Sequence, residues 1–333
     1  VLTEEAENII RQWRSGQKEF PVSSSGTTGE PGIFLLKRNL IELSCRITGE
    51  ALSINPEDRI HCCLPLTKVG GLMQLFRAEI WGVPIDVIEP TANPLLHYEG
   101  TATIISLTPM QLSHIWANEN SRKSLLKFRV VLLGGAGLSA SLEKEIAGFE
   151  KPVFYHTYGM TETYSHVALR RIGEQGFRFL LPTKASLSNI GCLQFSNAIT
   201  ENRVMKTTDV AIIATDGSFS ITGRVDNVIN SGGIKIAAES VETLIQKHFG
   251  LAEGTFFCAG IPDEILGEKL VLVIQKGISA PDLEKIPFEP SYLRPKEVMT
   301  ADTFLLTETH KIRRKETLAL ICKQRAKHGN PGA

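Results

Sequence analysis

Apolar and polar positions over the first two thirds of the chain switch repeatedly between a helical and a strand period. Leu40, Leu43, Ile47 and Ala51 recur at helical spacing behind Asn39, which predicts a helix with Asn39 as its cap. A strand-like run from Arg59 to Leu64 follows. Next come a helical face through Leu72, Leu75, Phe76 and Ile80, then strand-like runs at Val83 to Ile88, Thr103 to Ser106 and Arg129 to Leu133. Shorter β-type stretches stand at Phe20 to Val22, Val153 to His156 and Val210 to Ala214. Strands interleaved with helices predict one layered α/β body as far as Thr222. The texture changes after Thr222-Gly223-Arg224-Val225-Asp226. Beyond it lie a glycine pair, one amphipathic helix (Val241, Leu244, Ile245, Phe249) and a β-hairpin, Gly254 to Gly260 and Lys269 to Ile274, joined across Pro262-Asp263-Glu264 and Gly267.

The expected organisation is therefore a large α/β domain over 1–223, a boundary at 224–226, a small α+β domain over 227–328 and a tail at 329–333. A chain of 333 residues at 42% hydrophobic is long enough for two cores, at about 150 residues per domain.

Charge changes the picture by exclusion. The 36 basic and 36 acidic residues balance, so no global field draws the chain to nucleic acid or to an anionic membrane. Any anion must be held locally. The six cysteines (Cys45, Cys62, Cys63, Cys192, Cys258, Cys322) form no C-x-x-C pair, which points to reduced thiols in a cytoplasmic protein rather than to a metal site. No apolar run approaches the roughly 18 residues of a membrane span. The start, Val1-Leu2-Thr3-Glu4-Glu5, lacks the basic and apolar regions of a signal peptide, and Val1 in place of Met fits a removed or missing start.

Several stretches carry chemistry. Ser23-Ser24-Ser25-Gly26-Thr27-Thr28-Gly29 offers hydroxyls and glycines that let backbone N–H groups converge on a polyphosphate, without the Gly-Lys-Ser/Thr ending of a Walker loop; a flexible Ser/Gly linker is the competing reading. Gly135-x-Gly137-x-x-Ala140, after an apolar strand and before a helix, imitates a dinucleotide fingerprint and motivates a nicotinamide-dependent oxidoreductase as a rival reading. Tyr158-Gly159-Met160-Thr161-Glu162-Thr163 reads as a polar turn after a strand, with a face for a base, hydroxyls for a phosphate and a carboxylate for Mg²⁺. Thr207-Thr208-Asp209, just ahead of the Val210 strand, offers an acceptor for a ribose diol or an ordinary turn cap. A charged pair, Arg224 and Asp226, leads into Gly232-Gly233, and Lys311-Ile312-Arg313-Arg314-Lys315 forms a basic cluster.

Taken in order, Ser24-Ser25-Gly26-Thr27-Thr28-Gly29, Tyr158-Gly159-Met160-Thr161-Glu162, Thr208-Asp209, Gly223-Arg224-Val225-Asp226 and Lys311-Ile312-Arg313 resemble the signature series of the adenylate-forming acyl-CoA synthetases. Members of that family carry a longer segment ahead of the phosphate loop, so the resemblance implies a short or N-terminally truncated form. Within the family, Leu64-Pro65-Leu66, Gly70-Gly71-Leu72 with Arg77, Leu132 to Ala136, Tyr158 to Arg170 and Asp226 to Gly233 are similar to the o-succinylbenzoate-CoA ligases of menaquinone synthesis.

The resemblance implies ATP, Mg²⁺ and CoA as reactants and an acyl-adenylate as intermediate. It assigns Ser24, Ser25, Gly26, Thr27, Thr28 and Gly29 to the ATP phosphates, Gly135 and Ala136 to the border of adenine and acyl group, and Tyr158, with Gly159 and Met160, to the base. Thr161 would contact the α-phosphate, Glu162 the Mg²⁺, and Asp209 and Arg224 the ribose. Asp226 matches a hinge; Gly232, Gly233 and Lys235 match the turn that faces CoA; Lys311 matches the lysine that bridges carboxylate and phosphate during adenylation. Arg77, assisted by Lys68, Ser165 and His166, would hold the second carboxylate of o-succinylbenzoate, although read without the resemblance Arg77 is a helix-surface side chain with its head in water. The chain departs from the family at Gly32 and Lys68, where lysine and histidine are usual, at His310, where glycine is usual, and at Thr207-Thr208-Asp209 for Thr-Gly-Asp. Those departures keep a ligase for another acid, or a catalytically weakened nucleotide- or acyl-binding relative, open beside the main reading.

Overall fold

The computed structural model describes residues 2–24, 32–252, 254–306 and 312–327. Helix α1 (Glu4–Arg14) shows why the local sequence folds as it does: the Thr3 hydroxyl accepts from Ala6 N, acids fill the first turn, Arg11 and Arg14 the last, and Ala6, Ile10 and Trp13 form the buried stripe. Strands β1 (Glu19–Ser24) and β2 (Gly32–Lys37) form an antiparallel ribbon with Ser24 opposite Gly32. Phe20, Val22 and Leu36 point inward while Ile33 and Leu35 face solvent, the period of two expected of a half-buried ribbon. Residues Ser25 to Gly29 of the expected phosphate loop lie outside the described residues. The expected Asn39 cap is incorrect: α2 (Arg38–Ala51) begins one residue earlier, behind Lys37, and Asn39 sits inside its first turn. Leu40 and Ile47 of the expected face are buried, but Ile41, Ser44, Cys45 and Thr48 carry the rest of it and Ala51 is exposed.

A seven-stranded sheet follows, made of β3 (Ile60–Cys62), β4 (Ile85–Val87), β5 (Ile104–Leu107), β6 (Val130–Leu133), β7 (Val153–Met160), β8 (Ser165–Arg171) and β9 (Arg178–Phe179) in the order β4-β3-β5-β6-β7-β8-β9. The strands from β4 to β7 are parallel, and β8 and β9 are antiparallel. Helices α3 (Val69–Trp81), α4 (Pro109–Ala117), α5 (Glu119–Leu125) and α6 (Ala140–Ile146) cover it. All four residues of β6 are buried, as a strand covered on both faces requires. Thr108 and Gln111 close a capping box on α4 behind Pro109. The runs expected at Arg59 to Leu64 and Val83 to Ile88 shrink to three residues each; Pro84, whose missing N–H cannot extend a ladder, stands directly before β4.

The α/β body is thus not a single sheet. A second, antiparallel sheet contains β10 (Lys184–Leu187), β11 (Cys192–Ser196), β12 (Met205–Ile213) and β13 (Phe219–Arg224). Phe177 and Phe219 exchange backbone hydrogen bonds between the two sheets, and Tyr158, Phe177, Phe179, Phe195 and Phe219 pack ring on ring across that junction.

After a 3₁₀ turn (Val225–Asn227) come β14 (Val228–Ser231), β15 (Ile234–Ala237), α7 (Ala238–Phe249), β16 (Phe256–Asp263), β17 (Gly267–Gln275), β18 (Glu297–Ala301) and α8 (Arg314–Lys327). The strands run β15-β14-β17-β16, with β18 parallel to β17. This sheet has cores of its own, one around Ile229, Val241, Ile245 and Leu272 and another around Phe257, Val271 and Ile321. The hairpin expected at Gly254 to Ile274 is β16–β17, with its turn shortened because Pro262 and Asp263 remain in strand. Five cysteines are buried and Cys322 is exposed, all unpaired. Among the described residues no helix is long and apolar enough to cross a membrane.

Candidate active site

The parallel strands β6 and β7 end side by side, and their carboxyl ends are where open α/β sheets collect ligands. Tyr158 lies in β7 rather than in the turn expected from its sequence, because the strand runs on to Met160 against Ser165. Likewise Thr207, Thr208 and Asp209 lie inside β12, not ahead of it, and Asp209 is the register partner of Arg224 on β13.

These placements bring three segments to one point. The Tyr158 hydroxyl donates to Asp209 Oδ2 at 2.7 Å, and Arg224 Nη1 donates to Asp209 Oδ1 at 2.6 Å. Arg224 Nη2 also donates to the Thr208 hydroxyl and lies 3.6 Å from Asp226 Oδ2. Burial, with the Asp209 charge adding to it, pushes the Tyr158 phenol above its ordinary value, so Tyr158 is a donor at neutral pH. The arrangement offers an aromatic ring, a carboxylate with free lone pairs and a guanidinium to a nucleoside.

Immediately beyond, Thr161–Thr163 form a single 3₁₀ turn. The buried Thr163 hydroxyl holds it, accepting from Met160 N and donating toward the Ser165 carbonyl. Tyr164 and Ser165 then adopt φ of 56° and 84°, conformations that cost non-glycine residues energy and cluster at functional sites. Gly159 is required here, since a Cβ on it would overlap the Ser165 carbonyl and His166. The turn leaves Glu162 exposed at the end of β7. A single exposed carboxylate is the kind of ligand that Mg²⁺ takes, one or two carboxylates being completed by phosphate and water.

Arg77 departs from the surface reading. It lies on α3 with 3% of its area exposed, and no carboxylate contacts it among the described residues. Nη2 donates weakly to Ser165 Oγ at 3.4 Å and to His166 Nδ1 at 3.5 Å, while Nε is buried without a partner. A guanidinium only donates, so His166 Nδ1 accepts and Nε2 carries the proton toward Thr48 Oγ1 at 3.0 Å. Burial, reinforced by the Arg77 charge, holds the His166 pKa well below its usual value and keeps the ring neutral. Burial also lowers the Arg77 pKa. On the preceding turn Gln74, 2% exposed, leaves its Oε1 unpaired.

The other expected residues are dispersed. Lys68 precedes α3 at its N-terminus. Gly135 and Ala136 form the loop between β6 and α6, so the strand and helix that the dinucleotide fingerprint requires do exist, but Glu162 falls past the end of β7. Asp226 lies in the 3₁₀ turn between β13 and β14. Gly232 and Gly233 turn β14 into β15, where Gly232 N donates to Leu266 O at 2.8 Å, and Lys235 is exposed on β15. Contacts cross Asp226: the Ser240 hydroxyl on α7 donates to Thr222 O. Ser24 ends β1, while Ser25 to Gly29 and Lys311 lie outside the described residues. Two residues absent from the sequence reading join the site, Thr48 and His156. The signal for His156 was its spacing of two from Tyr158, which puts both on one strand face, and both rings pack on Phe177.

Comparison with known proteins bears on the whole arrangement. The family model described as AMP-binding enzyme matches residues 23–211. A 2-succinylbenzoate–CoA ligase of Staphylococcus aureus (strain Newman) is 27% identical over 326 residues, covering 87% of this chain; the chain spans 65% of the length of that relative. The solved structure of an acyl-CoA synthetase (AMP-forming)/AMP-acid ligase II-like protein from Dyadobacter fermentans is 33% identical, with a TM-score of 0.63 over 95% of this chain and 93% of that one. The o-succinylbenzoate CoA synthetase of Bacillus subtilis in complex with ATP and magnesium shares the fold, with a TM-score of 0.76 at 22% identity over 90% of this chain and 69% of that one.

Proposed function

The chain belongs to the AMP-binding enzyme family, and from that premise we propose that it joins an aromatic dicarboxylic acid, o-succinylbenzoate, to CoA in the cytoplasm through an acyl-adenylate, releasing AMP and pyrophosphate. Binding the nucleoside falls to Tyr158, Asp209 and Arg224. Bringing a carboxylate onto the α-phosphate sets like charges together, so catalysis consists of positioning and cations. Thr161 contacts the α-phosphate, Glu162 holds Mg²⁺, Lys311 bridges the reacting anions, and Ser24 to Gly29 hold the ATP phosphates. Gly232, Gly233 and Lys235 face CoA in the second step, and rotation at Asp226 exchanges that surface for the Lys311 segment.

The observation that carries the substrate is Arg77. A buried guanidinium without a carboxylate is costly unless a ligand anion completes it. When one carboxylate of o-succinylbenzoate is activated, the other is left as a spare anion, and a planar guanidinium can take it in bidentate fashion. Neutral His166 and Ser165 orient the guanidinium without neutralising it. The choice of o-succinylbenzoate is also supported by the 27% identity to the 2-succinylbenzoate–CoA ligase of Staphylococcus aureus, and a place in menaquinone synthesis follows from the sequence resemblance.

The test is acid-dependent release of pyrophosphate from ATP and Mg²⁺ across a panel of mono- and dicarboxylic acids, followed by CoA thioester formation. Turnover led by o-succinylbenzoate supports the reading. Turnover led by another acid leaves a generic acyl-CoA ligase, and ATP binding without turnover on any acid favours the weakened relative to which Gly32 points.

A further inference from the structure

The loop from Gly134 to Ala136, whose Gly135 and Ala136 the family resemblance sets at the border of adenine and acyl group, leaves β6 pressed onto β7: a Cβ at Gly134 would overlap Thr157 Oγ1. Gly134 N donates to Leu107 O at 3.1 Å, which fixes the start of the loop. Its far end is held differently. Ala136 O lies 3.1 Å from His156 Nε2, and His156 is the register partner of Leu133, the last residue of β6. The other ring nitrogen, Nδ1, lies 3.4 Å from Arg170 Nη2 on β8. Arg170 is gripped in turn by both oxygens of Glu143, at 2.5 and 2.9 Å, on the helix that the loop leads into. The His156 ring and the Arg170 guanidinium both lie against Phe177, which also packs on Tyr158.

Every donor and acceptor in this ring of contacts is forced. The carboxylate accepts and the guanidinium can only donate, so Nδ1 accepts. The imidazole proton is therefore on Nε2, aimed at the Ala136 carbonyl. Burial lowers the His156 pKa and the Arg170 charge adds to that effect, so the ring stays neutral near pH 7.

We infer that His156 is a positioning residue for the nucleotide: through its Nε2–H it fixes the Gly134–Ala136 loop for the base, and Arg170 with Glu143 selects the tautomer that allows this. The inference rests on the reading of that loop as the adenine border. It adds to that reading a residue that touches neither nucleotide nor acid.

The experiment compares the unaltered chain with His156→Leu and His156→Gln, measuring AMP affinity by calorimetry, KM for ATP and thermal unfolding. Gln can place a side-chain N–H where Nε2 stands; Leu cannot. Loss of one hydrogen bond that orders the loop weakens AMP binding and raises KM for ATP about tenfold in His156→Leu. His156→Gln should recover to within about threefold of the unaltered chain, as an N–H donor retained at the same carbonyl implies. Equal losses for Gln and Leu would overturn the inference, as would AMP binding undiminished in His156→Leu. Failure of the unaltered chain to bind AMP at all would remove the adenine reading itself together with the inference.

Discussion

The Tyr158 hydroxyl and the Asp209 carboxylate meet at 2.7 Å across 51 positions of sequence, and the contact joins the end of the mainly parallel sheet to the antiparallel one. Because Arg224 takes the other oxygen of Asp209, the carboxylate is oriented before any ligand arrives. Such preorganisation lowers the cost of ordering groups on binding.

Tyr158→Phe keeps the ring and its packing on Phe177 and Phe219 but removes the donor. That bond, worth about 1.5–3 kcal/mol, is made before any ligand arrives, so its loss falls first on thermal stability; AMP affinity should fall only through the lost orientation of Asp209, by roughly tenfold or less, with the acid KM nearly unchanged. Thermal unfolding, calorimetry with AMP and steady-state kinetics check each part.

How far this site was legible in the sequence depends on the kind of interaction. Tyr158, Asp209 and Arg224 stand in short polar motifs, so their identity could be read, whereas the register that makes Asp209 face Arg224 arises from pairing between strands and has no local signature. The burial of Arg77 did have a local sign. Leu72, Met73, Leu75, Phe76, Ala78 and Ile80 leave α3 only Gln74, Arg77 and Glu79 as polar residues, too few for a solvated face, which marks most of the helix as buried. His156 has only its spacing of two from Tyr158 as a signal, since its partners Ala136 and Arg170 come from other elements and a lone histidine has no motif of its own. The Asn39 cap failed for the same reason in reverse, a favourable residue type outweighed by tertiary packing that starts the helix at Arg38.

Acid should destabilise the protein in a definable window. Burial holds the pKa values of His61, His156 and His166 below the ordinary histidine value, so each is neutral in the folded state and takes a proton on unfolding. Their contribution is present above the unfolded pKa near 6.5 and is lost as pH falls through the folded values, at up to about 1.4 kcal/mol per pH unit for each. His61 is 3% exposed, and neither ring nitrogen makes a hydrogen bond of good geometry. His61→Leu should therefore flatten the pH dependence of the unfolding temperature below pH 6.5 without lowering stability at pH 8. Unfolding temperatures between pH 5 and pH 8, as buffer settings for both chains, read this directly, and parallel curves would count against it.

Lys311, outside the described residues, is expected to act in one half-reaction only. Lys311→Ala should slow acyl-adenylate formation by about 10² to 10³ and leave thioester formation from preformed adenylate within about threefold, since the bridging charge is needed only when the anions meet. Rapid-quench assays of each half-reaction separate the two; equal loss in both would contradict the role.

The account turns on Arg77 as the cation for a spare carboxylate, and the most direct measurement is kcat/KM for o-succinylbenzoate and for benzoate in the unaltered chain and in Arg77→Ala. Removing one partner of a buried charge pair costs roughly 3 to 5 kcal/mol, so the variant should lose more than about a hundredfold on the dicarboxylic acid and less than about tenfold on benzoate. Equal losses on the two acids, or an unaltered chain that prefers benzoate, would contradict it.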